Sequence, residues 1–428
     1  EYKENPLGID VERPRLSWQI ESDRRGVMQS AYQIQVSQSD STFNEIVWDS
    51  GVVKSDQSIH VEYAGDPLLS RTRYYYRVRV WDNQENVSSW SETAYWETGL
   101  LDRGEWVAEW ITTEQEEEAS PLLRKVFNTS GLIEEARIYA TSLGLYELYL
   151  NGKKVSDWLF TPGWTSYNKR LQYQTYDVTE LLNEGENVVG ALLGDGWYKG
   201  YIGWESQKEK YGNKRALLMQ LHIKYRNGKE EVFVTDESWK ANTGPIQYSQ
   251  IYHGEIYDAR LEKEDWCSAG YDDKDWKPVV KHTHTKDTLV AQENDPTRVI
   301  ETLKPLQVIQ TPAGETVIDF GQNLVGWVHF SVTADAGTEI VLQHAEVLDK
   351  DGNFYTDNLR SAKQTIRYTC KGEGVEEYEP HFTFQGFRYV KVEGYPGEIP
   401  LDKFKAKVIH TDMKPTGHFE CSDELINQ

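Results

Sequence analysis

Cysteine and methionine are both scarce, with three of each among 428 residues. Cys267, Cys370 and Cys421 stand far apart, match no metal-ligand spacing and, being odd in number, cannot all pair. Free thiols in a cytoplasmic protein are the expectation. The sequence also has no run of about 18 apolar residues, and its first residues, EYKENPLGID, show neither a basic start nor a hydrophobic stretch. Neither a membrane-spanning helix nor a signal peptide is expected within these residues. Positive charge is in the minority, 46 Lys and Arg against 69 Asp and Glu, for a formal net charge of -23. Such a surface repels a phosphate backbone or an anionic membrane, which argues against nucleic acid and lipid as partners.

Aromatic residues are plentiful, with 15 Trp and 26 Tyr, and they favour packed strands over helical bundles. The chain is too long for one ordinary core, at about 100–200 residues per domain. Its periodicity predicts an all-β protein of three β-sandwich units in series. From Arg15 to Gly99, YQIQVS alternates Tyr32, Ile34 and Val36 with polar residues, and YYYRVRVW alternates Tyr76, Val78 and Val80 with Arg77, Arg79 and Trp81. Residues 1–100 are therefore read as a fibronectin type III-like module, each strand having one wet face. The acidic stretch ITTEQEEEAS lacks an apolar period and makes 101–120 a linker. Residues 121–286 follow as a jelly-roll, carbohydrate-binding-like domain with Asn-Gly hairpins at Asn151-Gly152 and Asn227-Gly228. YDVTELLNEGEN fits one turn between strands. Residues 287–412 form a third β-sandwich. In 413–428, Ser422 followed by Asp423 and Glu424 opens a short helix whose apolar face begins at Leu425 and Ile426.

Sites for chemistry are few. Gly194 and Gly196 in LLGDGWYKGYIGW follow an apolar strand, but a dinucleotide site needs a helix start after the glycines, and the aromatics that follow favour strand or loop. The same stretch suits a sugar: Trp197, Tyr198 and Trp204 offer flat apolar faces with polar tips, and Asp195 offers a carboxylate for hydroxyl groups. The competing reading is that these rings fill a core. Asp349, Asp351 and Asp357 gather in LDKDGNFYTDN without the ligand series of a calcium loop, so a hairpin turn with solvated charges is expected. His282 and His284 form an H-x-H with no third ligand nearby, which fits a solvated loop. No metal site and no paired carboxylates for glycoside hydrolysis emerge.

Longer segments carry a resemblance. ENPLGIDVERPRLSW, ATSLGLYELYLNGKKVSDWLFTPGWTSYNKRLQYQTYDVTELLNEGENVVGALLGDGWYKG, DFGQNLVGWVHF and HAEVLDKDGNFYTDNLRSAKQTIRY, in that order, resemble bacterial α-L-rhamnosidases from about Asn5 onward. The stretch LYLNGKKV through GEN on its own also occurs in jelly-roll domains of β-galactosidase-like enzymes. The resemblance implies a fibronectin-like module, a jelly roll and a further β-sandwich before an (α/α)6 barrel, with FECSDELINQ similar to the start of that barrel. It implies an inverting hydrolase of terminal α-L-rhamnose in rhamnosides, whose acid and base lie on barrel loops beyond Gln428. No catalytic residue is then expected in this segment, and its partners would be the substrate glycoside and the barrel of the same polypeptide. No cofactor is required, although calcium in the jelly-roll domain is compatible with the resemblance. Asp195, Trp197, Tyr198 and Trp204 are nominated from chemistry and not inherited. The alternative is a stand-alone carbohydrate-binding or adhesion protein of tandem sandwiches.

Overall fold

The computed structural model describes residues 3–38, 41–202 and 207–427. The first unit holds an antiparallel sheet in the order Ile46–Asp49, Gln29–Ser37, Arg73–Asp82, Ala94–Glu97, and a two-stranded sheet of Arg15–Leu16 with Val61–Glu62. Tyr32, Ile34 and Val36 face Val80, Val78 and Tyr76 across the ladder, and they pack with Tyr63, Tyr74 and Trp96. The opposite face of that ladder is polar but not bare. Arg77 and Arg79 each clamp a glutamine across the strands, Gln35 and Gln33, at 2.7–3.0 Å. Both guanidinium groups lie 4.6 Å from the Trp90 ring, so cation–π contact paves the face.

The second unit is a sandwich of two sheets. One runs Lys153–Lys154, Leu145–Leu150, Gly185–Gly194, Pro121–Thr129, Lys240–Thr243, Lys277–Pro278. The other runs Val280–Lys281, Ile111–Thr112, Ala216–Tyr225, Ile133–Leu143, Leu171–Asp177, Leu289–Ala291, with Glu230–Val234 beside Ala216–Tyr225. Leu123, Ile138, Leu148, Val189, Met219 and Trp239 fill the space between them. The first predicted hairpin closes as its turn chemistry requires. Leu150 pairs with Lys153, and both intervening residues have positive φ, 52° at Asn151 and 78° at Gly152, the pair of values that asparagine and glycine tolerate best.

The third unit is one continuous ten-stranded sheet folded over its own core, in the order Ile246–Gln250, Gly254–Asp258, Thr365–Thr369, Glu339–Ala345, Gln385–Glu393, Thr316–Val332, Phe404–Thr411, Thr297–Leu303. Gln307–Gln310 and Glu376–Tyr378 also pair with Thr316–Val332. That 17-residue strand changes register between Asp319 and Leu324, where Gly321 adopts a φ of 82°. Ile318, Phe330, Leu342, Tyr368, Phe387 and Phe404 lie in the enclosed core.

Three boundaries differ from the sequence expectation. Residues 101–120 are not a linker: Trp106, Ala108 and Trp110 are buried, and Ile111–Thr112 is a strand of the second unit. The second unit also reaches past residue 286, because Leu289–Ala291 pairs in parallel with Leu171–Asp177. Conversely, the hairpin 246–258 lies inside the jelly-roll span yet belongs to the third sheet, through parallel pairing of Gly254–Asp258 with Thr365–Thr369. Its alternation marks it as strands, whereas the partner lies more than a hundred residues away. At the C-terminal end, Glu424–Asn427 is a helical turn capped by Asp423, not Ser422: the Leu425 amide donates to Asp423 Oδ1 at 3.0 Å. Phe419, Leu425 and Ile426 are exposed there.

The units are joined by buried contacts. Glu97 of the first unit is held by Arg73 of its own sheet at 2.8 Å and by Arg137 of the second unit at 2.6 and 3.0 Å. Between the second and third units Leu145, Phe160, Leu192, Ile251, Trp327 and Phe382 share one apolar cluster. Phe382 lies against the bare α-carbon of Gly194, where a Cβ would come within 2.4 Å of its ring.

Candidate functional site

The strand Gly185–Gly194 delivers the nominated stretch to the junction between the second and third units. After Gly194 the chain makes one helical turn, Gly196–Lys199, where strand or loop was expected. Gly196 has a φ of 54°, and a Cβ there would strike Leu145 at 2.4 Å. The turn points its charged residues inward. Asp195 is buried, with Oδ1 3.2 Å from Lys199 Nζ and 3.4 Å from Arg215 Nε, while Oδ2 accepts from Gln250 Nε2 at 2.5 Å. Glu116 completes the group at 2.8 Å from Lys199 and 2.9 Å from Arg215. Two carboxylates and two cations thus balance within a region that excludes most water, the condition under which buried charge is tolerated. Here the acidic stretch acquires its role: Glu116 answers cations that lie 83 and 99 positions later in the sequence.

Of the nominated residues that are described, Asp195 and Tyr198 are buried and Trp197 is half-buried. The oxygens of Asp195 are occupied by protein. Tyr198 is buried between Tyr167 and Tyr211, and desolvation raises the pKa of its hydroxyl. Trp197 is half-buried and lies 6.2 Å from Phe160 in an edge-on contact. Trp204 falls outside the described residues. Sequence reading missed Trp164, which stacks on Trp197 with planes 6° apart and is 50% exposed. The Pro162-Gly163 dipeptide before it was a turn signal, and a tryptophan at a turn tip is a surface candidate.

Other candidates resolve into structural parts. Asp349 shapes its own turn by accepting the amides of Asp351 and Asn353 at 2.9 and 2.7 Å; these backbone bonds, chiefly from Asn353, hold its carboxyl below the usual range. Asp357 begins a short 3-10 turn, Asp357–Leu359. His284 packs edge-on against Trp110 at 5.5 Å, and burial lowers its pKa. Among the described residues no group of three or more His, Cys, Asp and Glu could hold a metal ion. A cleft of about 1010 Å³ opens beside Arg13, Asp66, Leu69 and Arg103, and Asp195, Trp197 and Tyr198 do not line it.

A carboxylate–histidine contact was invisible in the sequence because its members lie 234 residues apart. His381 Nδ1 of the third unit is 3.1 Å from Glu147 Oε2 of the second, and the His381 amide donates to the fully buried Glu255. Burial alone would raise the Glu147 carboxyl, but His381 and Lys154 outweigh it and hold the group well below its ordinary range. For His381 burial works downward, and the Glu147 and Glu255 charges overcome it, so its pKa rises above 6.5. The signs fix a pH window. The His381 contribution is complete below 6.5 and disappears as pH climbs through its raised folded pKa. The Glu147 contribution is complete above 4.5 and disappears as pH falls through its depressed folded pKa. Stability measured by urea melts is expected to be greatest between these two limits, and Glu147→Gln is expected to flatten the alkaline side of the profile. An unchanged profile in that variant would remove this contact as its source.

Comparison with known proteins adds a second line of information. Residues 1–102 match the family described as the Rha78A-like N-terminal immunoglobulin domain. Residues 131–301 match the α-L-rhamnosidase N-terminal domain, and 309–410 match the bacterial α-L-rhamnosidase concanavalin-like domain. A Formosa agariphila protein named α-L-rhamnosidase is 36% identical, the alignment covering 100% of this chain and 48% of that protein. The crystal structure of Streptomyces avermitilis α-L-rhamnosidase complexed with L-rhamnose superimposes with a TM-score of 0.95 at 32% identity, over 100% of this chain and 58% of that one. The α-L-rhamnosidase structure from Dictyoglumus thermophilum gives 0.94 at 38% identity, over 100% and 49%. The chain spans about half the length of the curated relatives it matches.

Proposed function

From the premise that this chain belongs to the α-L-rhamnosidase family and spans its N-terminal β-rich region, we propose that the parent protein hydrolyses terminal α-L-rhamnosidic bonds and that these three units are its non-catalytic scaffold. The observation that carries the reading is similarity without a break: matches along all three units, and superposition over the whole chain on rhamnosidases of known structure. Glycoside hydrolysis needs one carboxyl group to protonate the leaving oxygen and a second to activate water or attack the sugar. The interior carboxylates here are engaged otherwise. Asp195 and Glu116 neutralise Lys199 and Arg215, Glu97 neutralises Arg137, and Glu255 binds Tyr378, Ser249 and the His381 amide. The acid and base belong to the half of the family that this chain does not span, and the scaffold acts by holding that half.

The test is an assay of the full-length polypeptide with a chromogenic α-L-rhamnoside. Release of the chromophore is expected, with anomeric inversion seen by proton NMR at early times. Absence of turnover on rhamnosides, with turnover on a β-galactoside instead, would overturn the assignment.

A further inference from the structure

The loop that carries Trp164 presents one aromatic ring to solvent on an unusually firm support. The indole lies parallel to Trp197, with centroids 6.0 Å apart. Trp197 meets Phe160, which belongs to the buried cluster between the second and third units. Trp164 is therefore backed by packed aromatics on the side of Trp197, and the residue is 50% exposed. Its edge is fixed as well: Nε1 lies 3.4 Å from the Tyr211 hydroxyl, and Tyr167 holds the Tyr211 ring edge-on at 4.8 Å. The loop braces itself through Tyr167 Oη donating to the Gly163 carbonyl at 2.8 Å, the Lys169 and Arg170 amides donating to the Ser166 carbonyl, and the Thr165 hydroxyl donating to the Arg170 carbonyl. A ring already immobilised loses little freedom when a ligand stacks on it.

The size of the exposed feature selects the ligand. Among the described residues of 160–170 and 207–214, Trp164 is the one large apolar side chain that is exposed, while Ser166, Asn168, Lys169 and Asn213 are exposed and polar. A protein partner needs an apolar core of several side chains, in an interface of about 800 Å² per partner. One indole face with a polar surround matches a single sugar ring, whose C–H face stacks on the aromatic and whose hydroxyls exchange water for amide and ammonium groups. We infer that the outer face of Trp164 is a binding site for a neutral pyranose, with polar groups of the same loop contacting its hydroxyls. The rhamnosidase reading enters only in the choice of probe.

The experiment titrates the 428-residue chain with methyl α-L-rhamnopyranoside and, separately, methyl β-D-glucopyranoside, following indole N–H signals by NMR. The Trp164 signal, identified by its loss in Trp164→Phe, is expected to shift saturably at millimolar sugar with at least one of the two probes. Other perturbed amides report affinity in the variants: Trp164→Ala is expected to weaken binding about tenfold or more, and Trp164→Phe to stay within about threefold of the parent. Unchanged thermal melts show that both variants are folded. The proposal is overturned by the absence of a saturable shift with both probes, or by shifts that persist undiminished in Trp164→Ala. It is equally overturned if the full-length polypeptide shields Trp164 from acrylamide quenching, which would make the ring a contact between domains. A full-length protein inactive on rhamnosides would leave the titration result standing.

Discussion

Asp195→Ala is expected to cost the fold about 3–5 kcal/mol, the usual consequence of removing one partner from a buried ion pair. The side chain is 4% exposed and holds Lys199, Arg215 and Gln250 at once. Alanine would leave Lys199 and Arg215, themselves 6% and 2% exposed, to share Glu116 alone. Gln250 Nε2 would also lose its acceptor, and an unmet buried donor adds about 1–3 kcal/mol of its own where water cannot enter. Asp195→Asn keeps an acceptor for Gln250 while removing the charge, so its loss is expected to be smaller. Urea unfolding of the two variants measures both. A loss below about 1 kcal/mol in Asp195→Ala would show that the network is solvated and would return this carboxylate to the surface.

Phe382→Ala carries the second large effect, about 3–5 kcal/mol, because a fully enclosed aromatic is removed where its surroundings cannot collapse. Phe382 belongs to the third unit but fills a notch over Gly194 of the second, beside Leu145, Leu192 and Trp327. The two units meet at this point, so the variant is expected to unfold in two resolved calorimetric transitions where the parent unfolds in one. Filling the notch from the other side is expected to act similarly: Gly194→Ala places a Cβ 2.4 Å from the Phe382 ring. A single transition in Phe382→Ala, shifted by less than a degree or two, would mean that the junction contributes little.

Local chemistry was the legible part of the fold. Asn151-Gly152 announced its hairpin because the two backbone angles it must adopt are a property of those two residues. Tyr32, Ile34 and Val36 announced a buried face because strand periodicity is two. Pairing over distance was not legible. The hairpin 246–258 alternates as strands do, but nothing in it names Thr365–Thr369 as its neighbour. The acidic run reads as a linker because the cations that neutralise Glu116 arrive through other strands and turns. The same limit governed the site. Asp195 has the hydrogen-bonding capacity that a sugar needs, and burial is what redirects it toward Lys199 and Arg215. Trp197 and Trp164 differ in the sequence only by neighbours, yet in the folded pair Trp197 is half-buried and Trp164 is exposed.

We propose that these three β-units form the scaffold of a rhamnosidase whose hydrolytic centre lies in the part of the family that this chain does not span. The most direct measurement incubates the 428-residue chain, verified as folded by calorimetry, with a chromogenic α-L-rhamnoside beside an equal concentration of the full-length polypeptide. Turnover is expected in the full-length sample, and a rate indistinguishable from buffer is expected for the chain alone. Turnover by the chain that scales with its concentration and survives repurification would contradict it, and would place the acid and base among carboxylates assigned here to structure.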